Sequence, residues 1–394
     1  MATADITTRV IAESSTVREV SPLSMVFLAP KTEIVAAGNI PIAAPVNVLT
    51  EITVDNEDAM LGNGFSRAAY DFIESGSSVR MFWLPFEVDS TDNAEDARLD
   101  RVVAALGALD KYEELNKLPH QRAHMIVCPR ETALGKTANK VIAKLETFYD
   151  PNQHIGAVSV IDAGPITVVA AADQVAQGSG PIQEDVLEWE KANAAMGIMA
   201  VSNRGDVDGY NEMWGSVIAA AHWGRVTSVK GIGYQPTTFI DPIAGVSGLD
   251  PARYYVPRDG SSPAYVLANT PNYLTSLITW EGQDYLYGGR TQHPANDPRR
   301  VLAHDIVTNA MVADAQRDLV IYHDQLNTPS NRESLRLHIQ RDLEATYLGS
   351  PLRSITVFEP LNMGGHLEVE FLARFPDLIE SIRLTARVTN QEAN

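Results

Sequence analysis

Cysteine is nearly absent from this chain of 394 residues, in which Cys128 is the single example. One cysteine excludes an intrachain disulfide and a cluster of thiolate metal ligands. Cys128 ends a largely apolar run over 125–129, and the sequence gives no reason to assign it a catalytic base. We therefore expect a small buried core residue rather than a reactive thiol.

Basic residues are scarce relative to acidic ones. The chain has 31 Lys and Arg against 50 Asp and Glu, for a formal net charge of −19. Phosphate recognition requires a concentrated basic surface, so this balance argues against a general nucleic-acid binder. We expect no direct contact with nucleic acid, and we interpret the acidity as a contribution to solubility.

Long apolar runs are also missing. No run approaches the roughly 18 residues that a bilayer-spanning helix needs, and the first residues carry no basic and apolar signal pattern. We expect no membrane insertion and a protein that stays in the cytoplasm unless lysis releases it. A hydrophobic content of 45% with 21% charged residues is typical of globular proteins, and the length allows two or three domains.

Complete catalytic motifs are lacking as well. Gly135 and Lys136 resemble the end of a phosphate-binding loop, but Arg130 occupies the position where that loop needs glycine. Ser247 lies in a sequence similar to a nucleophile elbow, but Leu249 replaces the second glycine. We predict no catalytic residue, no cofactor and no enzymatic activity. The alternative, a subtilisin-like α/β hydrolase, would need a Ser/His/Asp set that the sequence does not supply.

Metal motifs are incomplete too. A calcium loop that began at Asp206 would need a carboxylate at its twelfth position, where Val217 stands. His120 and His124 are four residues apart, but Pro119 and a predicted strand keep them from sharing a helical face. We predict no metal site.

The pattern of elements predicts an α/β fold with a mainly parallel core. Apolar runs predict strands, and periodic segments between them predict helices, an alternation that implies crossover connections and a parallel sheet. The strands are predicted over 124–128, 155–161 and 197–201, and the helices over 136–149, 184–195 and 210–222.

The C-terminal region is predicted to be α+β. One long helix is predicted over 301–322, and Ser330 to Glu333 form a capping box that would open a second. The domain organisation predicted from these patterns is an N-terminal arm, a β-rich region, an α/β domain, a helical C-terminal domain and a C-terminal arm, over 1–22, 23–95, 96–290, 291–377 and 378–394.

The C-terminal arm alternates apolar and polar residues with a period of two, which predicts a strand with one apolar face. The apolar positions are Ile382, Leu384, Ala386 and Val388. Such a strand pairs either within its own sheet or with a neighbouring subunit's sheet. Periodicity alone favours the first outcome.

Two segments in the second half of the chain resemble contractile tail-sheath proteins of bacteriophages. Residues 235–249 contain Ile243-Ala-Gly-Val-Ser-Gly-Leu249 after a proline-containing lead-in, similar to an Ile-x-Gly-Val-x-Gly-Leu pattern of that family. Residues 274–291 resemble its strand pair with an aromatic-Gly-x-Arg-Thr turn, although Tyr287 replaces the usual tryptophan. The two helices and the terminal strand follow in the family's order.

The resemblance implies a structural subunit of a myovirus-type tail sheath. Such subunits form hexameric discs that polymerise helically around a tail tube, with baseplate and tail terminator proteins as further partners. The sheath then contracts and drives the tube through the host cell envelope during genome delivery. Assembly in the host cytoplasm and a final location in the virion are implied. The sheath of a headless contractile injection system is an alternative.

The resemblance also changes the expectation for the chain ends. It implies that both arms donate strands to neighbouring subunits, with Ile6 and Val10 in the first arm and the four apolar residues of the terminal strand in the second. It further implies that the helical C-terminal domain faces the tube. The candidate tube contacts are Arg317, Arg332, Arg336 and Arg341, for which solvated helix faces are the alternative.

Overall fold

The computed structural model describes sixteen stretches of the chain, and statements about structure refer to these. They are residues 23–35, 38–41, 43–62, 64–75, 79–87, 95–129, 140–150, 155–163, 195–207, 210–236, 240–249, 274–294, 297–319, 328–348, 352–362 and 367–375. Both predicted arms lie outside them, including the six candidate arm residues, as do the Gly135-Lys136 segment and nearly all of the helix predicted over 184–195.

Seventeen strands are present in the described residues. They are β1 Ser24–Pro30, β2 Thr32–Val35, β3 Gly38–Pro41, β4 Thr50–Ile52, β5 Arg80–Phe86, β6 Met125–Cys128, β7 Val158–Asp162, β8 Ile198–Val201, β9 Gly205–Val207, β10 Tyr210–Met213, β11 Val246–Leu249, β12 Ser276–Trp280, β13 Gln283–Tyr287, β14 Ser354–Val357, β15 Leu361–Asn362, β16 Leu367–Glu368 and β17 Phe371–Arg374.

Eight α-helices accompany these strands in the same residues. They are α1 Glu57–Leu61, α2 Phe65–Glu74, α3 Glu95–Leu106, α4 Tyr112–Leu115, α5 Lys140–Thr147, α6 Gly215–Lys230, α7 Leu302–Leu319 and α8 Pro329–Tyr347.

The largest sheet has six strands in the order β4-β5-β1-β6-β7-β8. The edge strand β4 is antiparallel to β5, and all the other neighbours run parallel. The predicted mainly parallel α/β core is therefore present. Its strands β6, β7 and β8 fall within one to three residues of the predicted starts.

Helices cover both faces of this sheet, which explains why β1 is apolar along nearly its whole length. Val26 and Leu28 face a core shared with α3 and α5. Met25 and Phe27 face the opposite core, shared with α2 and α6. All four side chains are at most 1% exposed. The period of two in β1 thus divides its side chains between two buried cores.

The sheet crosses the boundary that the sequence analysis placed between residues 95 and 96. Strands β1, β4 and β5 come from the predicted β-rich region, and β6, β7 and β8 come from the predicted α/β domain. Since β1 lies between β5 and β6, the two regions share one sheet. Turn and strand signals around β1 contain no information about which distant strand it pairs with.

The helix predicted over 210–222 differs in the structure. Residues 210–213 form β10, which pairs with β9, and helix α6 begins at Gly215 and continues to Lys230. Helix α6 is buried around most of its circumference, so its sequence has little amphipathic periodicity from which to set its limits.

The C-terminal region contains α7, α8 and small antiparallel sheets. The two helices and β14 share a third apolar core that includes Met311, Ile339 and Ile355. Helix α8 starts earlier than the predicted capping box, because Thr328 is its N-cap and accepts a hydrogen bond from the Asn331 N–H at 3.2 Å. Pro329 occupies the first helical position, where no N–H is needed.

Candidate assembly site

The four candidate arginines lie on α7 and α8, and three of them have acidic neighbours on their own helix. Arg317 lies 3.1 Å from Asp314, and Arg336 donates two hydrogen bonds to Glu333 at 2.6 and 2.8 Å. Intrahelical pairs of this kind stabilise an exposed helix by only a few tenths of a kcal/mol. The positive charges of these arginines are therefore partly compensated within the subunit.

The arginines of α8 do not share one face. At about 100° per residue, Arg341 lies roughly 180° around the helix from Arg332. The Arg341 side chain is 60% exposed and its Nε lies 3.4 Å from Asp342. Arg336 lies nearer the buried stripe of Leu335 and Ile339. Arg341 is thus the candidate that points most directly away from the core, and tube contact by any of the four stays a prediction.

Arg122 links the region before β6 to both C-terminal helices. Its side chain is buried, and Nη1 donates a hydrogen bond to the Ala310 carbonyl of α7 at 3.2 Å. Burial lowers the pKa of Arg122, and the nearby Tyr347 and Asp314 oppose that shift. The Tyr347 hydroxyl donates to Asp314 at 2.6 Å. This group joins α7 and α8 to the rest of the subunit through polar contacts.

A second polar link connects the end of α5 to α7. The Tyr149 hydroxyl donates to Asp305 Oδ1 at 2.6 Å and lies 2.7 Å from His293 Nε2. Because the hydroxyl proton is used by Asp305, His293 Nε2 must carry a proton and donate to the tyrosine oxygen. His293 and Asp305 are both at most 1% exposed. The Tyr149 hydroxyl thus bridges His293 and Asp305, whose Nε2 and Oδ2 atoms lie 3.2 Å apart, and we call these three side chains the Tyr149 link.

Burial dominates the ionisation of the Tyr149 link. It raises the pKa of Tyr149, and the neighbouring Asp305 raises it further. Burial also raises the pKa of Asp305, although hydrogen bonds from His293 and Tyr149 oppose that shift. Tyr149 therefore stays protonated and available as a donor. No sequence motif indicated either link.

Among the described residues, the small sheet of β14 and β17 has one edge to which no further strand is paired. Strand β14 pairs with β17 in an antiparallel ladder. On the other side of β14, the Gln340 side chain accepts from the Val357 N–H at 2.6 Å and donates to the Ile355 carbonyl at 2.8 Å. In the described part of the chain β17 has no second strand partner. A two-stranded sheet is marginal by itself, and an edge of this kind can accept another strand.

The hydrolase alternative gains no support from the one serine–histidine pair that stands out in these residues. Ser24 Oγ lies 3.1 Å from His124 Nδ1. Both side chains are nearly inaccessible, with 1% and 3% exposed. Burial lowers the pKa of His124, and Arg122 lowers it further. A nucleophile must reach its substrate, so this pair is a core contact within the sheet.

Cys128 is 1% exposed, as expected for a core residue. None of the described helices is both long enough and apolar enough to cross a membrane.

Comparison with known proteins returned no matching family model and no matching curated protein. Solved structures do match. A chain of the anti-feeding prophage baseplate gives a TM-score of 0.64 at 14% identity, over 94% of both chains. The PVC sheath complex of an extracellular contractile injection system, in the contracted state, gives 0.64 at 12% identity, over 93% of this chain and 91% of that one.

The helical sheath of the anti-feeding prophage, also contracted, gives a TM-score of 0.62 at 12% identity and covers 98% of this chain and 99% of that chain. At such low identity the agreement concerns the fold, and it extends over nearly the whole length of each chain. The resemblance noted in the sequence is thereby confirmed, and this chain has the fold of contractile sheath proteins.

Proposed function

We propose that this chain is the subunit of a contractile sheath that polymerises helically around a tail tube and contracts to drive the tube through a cell envelope. The main support is the agreement in fold with contracted sheaths along almost the full length of both chains. Proteins with one fold can differ in function, and the proposal therefore rests on agreement over nearly all of the given chain and of the matched chains.

Assembly would use the chain ends. A head-to-tail contact between identical subunits does not close on itself and generates a helix. The terminal strand, with Leu384 near the centre of its apolar face, would add through its backbone to the unpaired edge of β17 in a neighbour and lay that face on the neighbour's core. Backbone hydrogen bonds would then supply affinity, and the alternating side chains would supply register. Ile6 and Val10 would serve the same purpose in the N-terminal arm.

The two buried polar links, at Arg122 and at Tyr149, favour motion of the subunit as a rigid body. Arg122 and the Tyr149 link both join α7 to other parts of the subunit. Breaking them would leave buried donors and acceptors without partners, at a cost of about 1–3 kcal/mol for each group. Contraction would therefore rotate whole subunits and bend the strand connections. The energy would come from the metastable extended assembly and not from a nucleotide.

Two kinds of particle fit this proposal. The sequence resemblance favours a phage tail sheath in a virion, assembled in the host cytoplasm and involved in genome delivery. The agreement with the anti-feeding prophage and with an extracellular contractile injection system favours a headless particle. Electron microscopy of particles that contain this chain separates the two, because a phage tail carries a DNA-filled head.

The central experiment is electron microscopy of the purified chain. We expect tubes from the full-length protein and none from a chain truncated after Asp377. Within the arm, Leu384→Asp places a charge on the apolar face, whereas Thr385→Asp places the same charge on the opposite face. Only the first should prevent tubes.

The outcomes separate the two parts of the proposal. A full-length chain that never forms tubes, alone or on purified tail tube, contradicts the sheath function. Tubes formed by the truncated chain, or equally by both aspartate variants, contradict strand donation but leave the sheath function intact.

The tube-facing arginines are tested by decoration of purified tail tube. We expect Arg341→Glu to weaken decoration most, because the Arg341 side chain is 60% exposed, against 34% for Arg317 and 26% for Arg336. Lys111→Glu, which reverses an exposed positive charge outside α7 and α8, is the control for the change in charge. Unchanged decoration after charge reversal at all four arginines rules out their role.

A further inference from the structure

Three potential metal ligands meet between the last turn of α7 and the middle of α8. Asp318 comes from α7, and His338 and Asp342 come from α8. The two residues of α8 are four positions apart, which places them on one face of the helix. The facing helix supplies the third side chain. Ligands on two elements that are brought together by the fold are typical of metal sites in helical proteins.

The geometry is close to that of a coordination shell. One ligand atom from each of Asp318, His338 and Asp342 lies within 4.8 Å of the others. His338 Nε2 is 3.5 Å from Asp342 Oδ2. Ligands about 2.0–2.2 Å from a tetrahedral ion are separated by roughly 3.3–3.6 Å, so the His338–Asp342 distance already fits, and any longer separation within the 4.8 Å limit would shorten when an ion binds.

The three side chains of the cluster differ in how deeply they are buried. Asp318 is 4% exposed, whereas the side chains of His338 and Asp342 are 24% and 19% exposed. The inner carboxylate is thus shielded from water, and the outer two ligands leave a path for an ion to enter. Carboxylates in such surroundings favour a divalent cation, because it compensates two negative charges at once.

We propose that Asp318, His338 and Asp342 bind a divalent transition-metal ion, with Zn²⁺ as the representative ion. One imidazole and two carboxylates form a mixed nitrogen and oxygen set, which suits zinc better than magnesium or calcium. Three protein ligands leave one position for water. This proposal does not depend on the sheath function.

Bound metal would clamp α7 to α8. The two helices already share an apolar core that includes Met311, Leu335 and Ile339. A metal crosslink at the end of α7 would add a second, polar attachment beyond that core. Because the ion binds the folded chain and not the unfolded one, it would raise the stability of this helix pair by mass action.

The competing explanation is an ordinary ion pair between a protonated His338 and the two carboxylates. Arg341, 3.4 Å from Asp342, could contribute to the same network. An ion pair and a metal site make opposite predictions on addition of zinc at neutral pH. The ion pair predicts no stoichiometric binding, whereas the metal site predicts one ion per chain and release of any proton held by the imidazole.

The test is isothermal titration of chelator-treated full-length protein with Zn²⁺, together with thermal unfolding. We expect one zinc ion per chain and a higher unfolding midpoint with zinc. His338→Gln and Asp318→Asn should each weaken zinc binding by at least about 100-fold, the upper end of the effect of removing a supporting residue. Glu333→Gln, which removes a carboxylate elsewhere on α8, should bind zinc as the natural chain does.

Folding of the variants is checked by circular dichroism without metal. If a variant does not fold, Co²⁺ absorption of the natural chain provides the answer, since a bound site gives intense tetrahedral bands and a free ion does not. Zinc binding that is absent, or equally strong in the His338 and Glu333 variants, overturns the proposal. So does a Co²⁺ spectrum identical to that of the free ion.

Discussion

The Tyr149 link provides the sharpest test of how the subunit is held together. Tyr149→Phe removes one hydroxyl and keeps the ring in place. The hydroxyl donates to the buried carboxylate of Asp305 at 2.6 Å and accepts from His293 at 2.7 Å. A hydrogen bond to a charged group contributes about 1.5–3 kcal/mol, and the partners left behind are buried. We expect a loss of about 2–3 kcal/mol in the free energy of unfolding.

The measurement is equilibrium unfolding in urea, followed by tryptophan fluorescence, since Trp83 and Trp223 are at most 1% exposed. The matched control is Tyr112→Phe, because Tyr112 is 69% exposed. Loss of an exposed hydroxyl should change stability by less than about 0.5 kcal/mol.

A double-mutant cycle identifies the partner. In an Asp305→Asn background, Tyr149→Phe should cost less, with a coupling energy of about 1–2 kcal/mol. The reasoning is refuted if Tyr149→Phe is as mild as Tyr112→Phe, or if the cost is the same in both backgrounds.

Three further predictions follow from the helix caps and from a buried histidine. Thr328→Ala should lower stability by about 1 kcal/mol in urea unfolding through loss of the N-cap of α8, whereas Ser330→Ala should not; equal effects would contradict the assigned cap. Asp162→Ala should cost about 2–3 kcal/mol in the same assay, because this buried carboxylate accepts from Ser216 N–H at 2.9 Å and from Ser216 Oγ at 2.8 Å at the start of α6; a loss below about 0.5 kcal/mol would contradict it. Burial lowers the pKa of His222 from 6.5 to about 4, so only the unfolded chain takes up this proton between those values, and stability should fall by at most about 3 kcal/mol as pH drops through that window. His222→Gln should flatten this dependence in urea unfolding at a series of pH values, and an unchanged slope would argue against the assignment.

Local sequence was sufficient to predict three parallel strands of the large sheet. Apolar runs predicted β6, β7 and β8 close to their observed positions, because strands buried on both faces are apolar throughout. The order of the sheet was not accessible in the same way. Placing β1 between β5 and β6 requires contacts between residues that are far apart in sequence, for which periodicity contains no signal.

The start of α8 also shows a difference between what local sequence predicts and what the structure contains. Both Thr328 and Ser330 are good N-cap residues by type, and the acidic residue three positions after Ser330 favoured the later start. The structure starts α8 at Pro329 instead, with Thr328 as cap. Proline is well suited to the first helical position because its missing N–H would have no partner there.

The polar contacts of the candidate site could not be predicted at all. Tyr149 and Asp305 are 156 residues apart, and Arg122 and Ala310 are 188 apart. Each residue alone resembles many others of its type. Only burial distinguishes these side chains, and burial is a property of the packed subunit.

The sequence by itself determined that the chain has no intrachain disulfide, is strongly acidic, alternates strands with helices and resembles tail-sheath proteins in its second half. The tertiary structure decided the strand order, the two buried polar links and the meeting of Asp318 with His338 and Asp342. The physical reason is the distance along the chain over which each kind of information acts. Composition and periodicity report on a residue and its near neighbours, whereas sheet order and buried polar pairs depend on which distant surfaces pack together and exclude water.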